Sequence, residues 1–332
     1  MTNACEQITE AFRGVHASER ASNAGAALAA DFTEGQPYKA FIPYIVAGDP
    51  DIPASMAVIR AAVEGGADLV EIGIPFSDPT AEGPVIQQAS ERALNAGTTT
   101  DKVFQMVRDL RAGREYSGDQ AAREAALAEV SSPSCDAAGS APQVTDHAHA
   151  VAEPEQTSSF PPITVPLVFM TYANVVFSYG TERFIRTCAE IGVTGLILPD
   201  VPLEERGEFI NCCDQYGIGL IPLITPTSAD RIASIAQAAT GWIYVVSSLG
   251  VTGTRSEITT DLGAITQVIR ENTDLPCAVG FGISTPQQAA SIAPHADGVI
   301  VGSAIVKIVA QYGHDAPPYV RDYVSSVVAA IR

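Results

Sequence analysis

The chain has 332 residues, enough for one large domain or two smaller ones, and its 46% hydrophobic content against 17% charged residues allows a sizeable core. Its 38 acids against 19 bases give a formal net charge of −19, which repels a phosphate backbone and argues against nucleic-acid binding. Only Lys39, Lys102 and Lys307 among the bases are lysines, and acid excess with so few lysines fits a protein kept soluble in high salt, where screening removes much of the self-repulsion.

In chain order, "MTNACEQITEAF" reads as a leading helix; with neither a basic start nor an apolar core, it is not expected to be a signal peptide. A loose stretch, 16–36, follows. Eight short apolar runs then alternate with amphipathic stretches: "AFIPYIVA" (40–47), "DLVEIGI" (68–74), "TVPLVFMTY" (164–172), "TGLILPD" (194–200), "IGLIPLIT" (218–225), "WIYVVSS" (242–248), "PCAVGFG" (276–282) and "GVIVGSA" (298–304). The runs are continuous rather than alternating, as expected for parallel strands buried on both faces. Several of the stretches between them start at Thr, Asp, Ser or Pro and end at glycine, the signature of capped helices. Eight strand–helix alternations predict an α/β fold, a closed (β/α)8 TIM barrel spanning 1–332 as a single domain. No apolar run is long enough to cross a membrane. Six cysteines without a CxxC pair read as reduced, cytoplasmic usage.

One segment breaks the rhythm. Residues 112–162, between the second helix and the third strand, are rich in Ala, Ser, Pro and acid, with eight acids and two arginines. Such a low-complexity acidic insert buries too little surface to offset its ordering entropy, so most of it is expected to be disordered. A helix–strand loop lies on the bottom of a barrel, away from the catalytic rim, so deleting 114–160 is expected to spare folding and activity.

In this fold, chemistry sits at the C-terminal ends of the strands. Glu71, flanked by Val70, Ile72 and Ile74, should point into the barrel mouth, where apolar neighbours disfavour its charge and suit it to proton transfer. Glu82 lies in the loop above, in "EIGIPFSDPTAEGP" (71–84), a stretch with three acids and no base. A buried glutamate held by backbone amides, with an exposed loop acid above it, is the bland alternative. Glycine turns close the last three runs, "SSLGVTGTRS" (247–256), "GFGIS" (280–284) and "VGSAIVK" (301–307), the last opening a helix; together they predict a phosphate site. None of the five histidines falls at a strand end, and there is no P-loop, dinucleotide fingerprint, metal-ligand set or strand-end lysine. Carboxylates and a bound phosphate are left to do the chemistry, with no cofactor and no metal.

"FIPYIVAGDP" (41–50), "EIGIPFSDPTAEGP" (71–84), "MTYANVVFSYG" (170–180), "LILPDVP" (196–202), "SSLGVTGTR" (247–255), "VGFGIS" (279–284) and "VIVGSAIVK" (299–307) together resemble the tryptophan synthase alpha subunit over about 38–310, save for the insert. The resemblance implies a lyase of tryptophan biosynthesis that splits indole-3-glycerol phosphate, by retro-aldol cleavage, into indole and glyceraldehyde 3-phosphate. By it, Glu71 matches the general acid/base and Glu82 the carboxylate that stabilises the indole N–H, where the family usually has aspartate. Gly253, Gly282, Gly302 and Ser303 match the phosphate-binding amides, and Thr252 the threonine of the closing loop. Tyr44, Tyr172, Ile197, Tyr244 and Phe281 match the indole pocket, and Asp200 looks like a pocket residue too. Ser248 stands where many members carry arginine. Asp78, Pro79, Asn174 and Pro202 match the surface facing a pyridoxal-phosphate beta subunit in an alpha2beta2 heterotetramer. An indole-glycerol phosphate synthase would want a strand-end lysine. A non-catalytic barrel that only activates the beta subunit stays open as the alternative.

Overall fold

The structure is a computed structural model that describes residues 4–14, 37–118, 159–247, 261–280 and 282–332. Nine strands form one parallel sheet among the described residues: β1 (Ala40–Val46), β2 (Val70–Gly73), β3 (Leu167–Met170), β4 (Gly195–Ile197), β5 (Gly219–Ile221), β6 (Leu223–Ile224), β7 (Ile243–Val246), β8 (Cys277–Gly280) and β9 (Gly298–Val301). All eight predicted runs are strands. The ninth arises because the fifth run is cut at Pro222, whose nitrogen carries no hydrogen to donate. Below the proline β5 pairs with β4; above it β6 pairs with β7, and the Pro222 carbonyl accepts from the Tyr244 amide (3.1 Å). The order β5-β4-β3-β2-β1-β9-β8-β7-β6 closes into a barrel through that broken strand.

The helices are α1 (Ala4–Phe12), α2 (Ile52–Glu64), α3 (Pro84–Asn95), α4 (Thr100–Ala112), α5 (Ala173–Tyr179), α6 (Thr181–Glu190), α7 (Gly207–Tyr216), α8 (Ala229–Gln237), α9 (Leu262–Asn272), α10 (Pro286–Ile292), α11 (Ser303–Tyr312) and α12 (Ala316–Ile331). The cap residues act as the sequence suggests. Asp51, Thr99, Ser228 and Asp261 accept amide hydrogens at the starts of α2, α4, α8 and α9, and Thr285 with Gln288 closes a capping box on α10.

Two cores explain the continuous apolar runs. Phe41, Ile45, Val70, Ile72 and Phe169 face the helices, whereas Ile42, Tyr44, Leu69, Val168, Met170 and Ile300 fill the barrel interior. The leading helix closes the bottom. Ile8 and Phe12 are buried there, and Phe12 meets Trp242 (ring centroids 5.9 Å), which stacks in turn on Tyr244 (5.5 Å). The inside of the barrel is thus packed solid up to the level of Glu71.

The ends of the 112–162 segment are built into the bottom face, so the insert is narrower than its composition suggests. Asp109, fully buried at the end of α4, accepts from Arg114, from the Ser117 amide and hydroxyl, and from Gln105. Arg60 donates to the carbonyls of Arg114 and Pro161 and lies over the Phe160 ring (4.5 Å). Arg111 donates to the carbonyls of Ile163, Val165 and Gly192, just below β3 and β4. Residues 119–158, where alanine content allows a helix around 118–130, lie outside the described residues, as does the whole of 16–36.

Candidate active site

Strand parity places Glu71. On β2, Leu69 and Glu71 face inward while Val70 and Ile72 face the helices, and Glu71 is level with Tyr44 on β1 and Val168 on β3. The carboxyl group therefore stands inside the barrel near the C-terminal rim. It is fully buried, and neither carboxylate oxygen has a hydrogen-bond partner among the described residues. Burial, and after it the Glu82 carboxylate, pushes its pKa from 4.5 up to about 8. The expected apolar setting is there, and among the described residues no backbone amide bonds the carboxylate as the bland alternative requires.

Glu82 lies in the loop between β2 and α3, 5% exposed, and burial raises it to about 7. Gly83 caps α3 and Pro84 opens it, fixing the loop's exit just beyond the acid. Both acids line one cavity of about 30 Å³ with Tyr44, Tyr244, Gly282, Gly302 and Ser303, and Tyr44 is raised by burial and then by Glu82 and Glu71. Two glycines make room for the tyrosines. A Cβ on Gly73 would collide with the Tyr44 hydroxyl, and one on Gly280 with the Tyr244 hydroxyl.

The structure thus gathers Glu71, Glu82, Tyr44, Tyr244, Gly282, Gly302 and Ser303 around one point. Gly282 has φ +81°, and Ser303, also in the cavity wall, is the first residue of α11, a helix start of the kind that suits an anion. Ile197 is buried in the barrel interior but does not line this cavity. Tyr172 does not line it either; its hydroxyl accepts from the Ala81 amide instead. Asp200 accepts from the Ala173 amide at the start of α5. Thr252, Gly253, Phe281 and Ser248 lie outside the described residues.

Reading the motifs alone misses Met170, Ile86, Ile283 and Ile300, which complete the cavity wall. Inward parity on the third and last runs would have found Met170 and Ile300. A second cavity, of about 560 Å³, was also unforeseen. It opens on the rim above the Pro222 break and is bordered by Thr80 and Ala81, Pro199 and Asp200, and Leu223 and Val246. With Ala81 on one cavity and Glu82 on the other, the 80–82 loop is the wall between them. Of the residues matched to a partner surface, Asp78, Asn174 and Pro202 are exposed and Pro79 is half-buried.

A family model described as "Tryptophan synthase alpha chain" matches residues 32–116 and 152–327. The chain belongs to that family. It is 46% identical over 287 residues to the alpha chain of Lactiplantibacillus plantarum, covering 86% of this chain and 90% of the relative. To that of Lacticaseibacillus casei it is 42% identical over 294 residues, covering 89% and 92%. Among solved structures, the alpha chain of Legionella pneumophila superposes with TM-score 0.68 at 30% identity, covering 100% of this chain and 98% of the other. Mycobacterium tuberculosis tryptophan synthase gives TM-score 0.67 at 29% identity, covering 89% and 93%. The chain is a lyase of tryptophan biosynthesis that cleaves indole-3-glycerol phosphate to indole and glyceraldehyde 3-phosphate.

Proposed function

We propose that the cleavage runs on Glu71 and Glu82 as a general acid/base pair of carboxylates. Held near pH 8, Glu71 carries its proton at neutral pH and can give it to the ring carbon of the bond to be cut. That carbon becomes tetrahedral and the ring nitrogen gains positive charge, which the ionised Glu82 stabilises through the N–H. The carboxylate left on Glu71 takes the proton of the side-chain hydroxyl as the C–C bond breaks. Its electrons return to the ring, and Glu71 ends protonated as it began. The observation that carries this reading is a pair of acids, each buried beside the other, with no hydrogen-bond partner for Glu71 among the described residues, on the rim where such barrels keep their chemistry.

The phosphate lies against Gly282, Gly302 and Ser303; the resemblance adds Gly253 and Thr252, which lie outside the described residues. The exposed rim formed by Asp78, Asn174 and Pro202 receives a beta subunit in an alpha2beta2 complex, to which indole passes. The setting is a cytoplasm of high salt, as the charge of −19 and the three lysines suggest.

Indole release from indole-3-glycerol phosphate in high salt, with a beta subunit present, is the test. Wild type and Glu82→Asp should release indole and Glu71→Gln should not. A wild type that releases none yet raises beta-subunit activity would make the chain a regulatory barrel.

A further inference from the structure

Tyr172, matched by its motif to the indole pocket, stands against the loop that carries Glu82. Its side chain is 3% exposed and its hydroxyl oxygen accepts the Ala81 amide hydrogen at 3.1 Å. Its ring packs on Phe76, at the other end of the same loop (centroids 5.1 Å, 30° between planes). One tyrosine from the end of β3 therefore holds both limbs of the segment that carries Glu82. On the far side of the loop, the Gln87 side chain on α3 donates to the Glu82 carbonyl at 2.7 Å. Behind α3, Arg92 grips the buried Asp49 through two bonds of 2.8 Å, tying that helix to the loop after β1. The helix side of the loop is anchored, and Tyr172 sets the other.

We propose that Tyr172 is a positioning residue for Glu82, a latch on the Ala81 amide that aims the neighbouring carboxylate at the ring nitrogen and keeps the wall between the two cavities in place. The proposal rests on the two-carboxylate reading above. A glutamate has one more rotor than an aspartate, so the direction of its backbone must be fixed from outside. A neutral acceptor serves here better than an acid would. A third carboxylate at this point would raise Glu82 further and keep it protonated when it has to carry charge. A tyrosine hydroxyl accepts the amide hydrogen without adding one.

Tyr172→Phe removes only the oxygen, leaving the ring on Phe76. In the full chain assayed with a beta subunit, it should lower kcat for indole release about tenfold, with KM changed by less than about twofold. Hydrogen exchange at the Ala81 amide should speed up while the strands keep their protection. In the Tyr172→Phe background, Glu82→Gln should cost several-fold less than it costs in wild type, because the carboxylate it removes is already misdirected. Unchanged Ala81 exchange with wild-type kcat would overturn the latch. So would a loss confined to KM, the sign of a ring-lining residue, or full additivity of the two substitutions. If wild type released no indole, the cleavage reading would fall while the Ala81 amide still decided for or against the latch.

Discussion

Asp68 and Glu71 stand three residues apart on the same strand segment, both fully buried, and the fold treats them in opposite ways. Asp68, below β2, accepts from the Tyr38 hydroxyl (2.7 Å) and the Phe41 amide (2.9 Å), and it pairs with the Arg332 guanidinium, which also lies over the Tyr38 ring. Glu71, at the top, has no hydrogen-bond partner among the described residues. The lower acid ties the end of α12 to the barrel floor. The upper one is kept in an apolar site where its charge is unfavourable. A buried charge supplied with donors contributes to structure; one deprived of them is held ready for a proton.

The sharpest way to break this contrast is Glu71→Gln, which should reduce indole release by at least about a thousandfold. The same change should stabilise the fold in alkali. Folded Glu71 holds its proton up to about pH 8, against an ordinary 4.5, so its contribution to stability is present below about pH 4.5 and lost as pH rises through 8. Removing the ionisable group should therefore raise unfolding free energy at pH 9, relative to wild type, by on the order of 3 kcal/mol, with little difference at pH 4. Denaturant unfolding at the two pH values measures it. A Glu71→Gln protein that is less stable at pH 9 than wild type would mean the carboxylate has a stabilising partner.

Asp68→Asn should give the reverse pattern. Loss of the charge strands Arg332 and weakens the Tyr38 and Phe41 bonds, so about 3 kcal/mol of stability should go in urea unfolding. The ratio kcat/KM, read at a temperature where the protein stays folded, should remain within about twofold of wild type. A large activity loss there would mean the two ends of β2 are not independent.

A smaller effect sharpens the upper half of the contrast. Glu82 must be ionised and Glu71 protonated for the proposed chemistry, and their values of about 7 and about 8 put these demands close together. Indole release should follow a narrow bell centred between pH 7 and 8, its two limbs belonging to the pair rather than to either acid. Glu82→Asp should keep activity within about tenfold and widen the bell on its acid side, since a shorter carboxylate sits farther from Glu71 and closer to water.

The barrel was legible because burial on both faces leaves a mark no helix or exposed strand makes: eight continuous apolar runs at regular spacing, each of which is a strand. Glu71 was legible as an acid flanked on both sides by apolar residues within such a run. What escaped depends on where the chain folds back on itself. Nothing local to "MTYANVV" says that Tyr172 meets Ala81, 91 residues earlier. Nor does the sequence pair Asp68 with Arg332, or say that Pro222 would hand the fifth strand from one neighbour to the other. Periodicity reports which face is buried, and not which distant group meets it.

The bottom face offers the gentlest test, because there the sequence was right about the position of the acidic insert and too generous with its edges. Both edges are fastened by residues from elsewhere in the chain. Arg60 bridges Arg114 and Pro161, and the Phe160 amide donates to the Gly113 carbonyl at 2.9 Å. Replacing 119–158 by a short Gly/Ser linker leaves this stem whole and shortens a loop whose closure cost grows only slowly with length. It should move the melting temperature by no more than about 2 °C and leave indole release unchanged. Widening the deletion to 114–160 should be worse. It removes Arg114 and Ser117 from Asp109, and a fully buried acid left with Gln105 alone should cost about 2 kcal/mol or more. If both deletions melted alike, the stem would contribute nothing, and the acidic insert would begin where composition alone puts it.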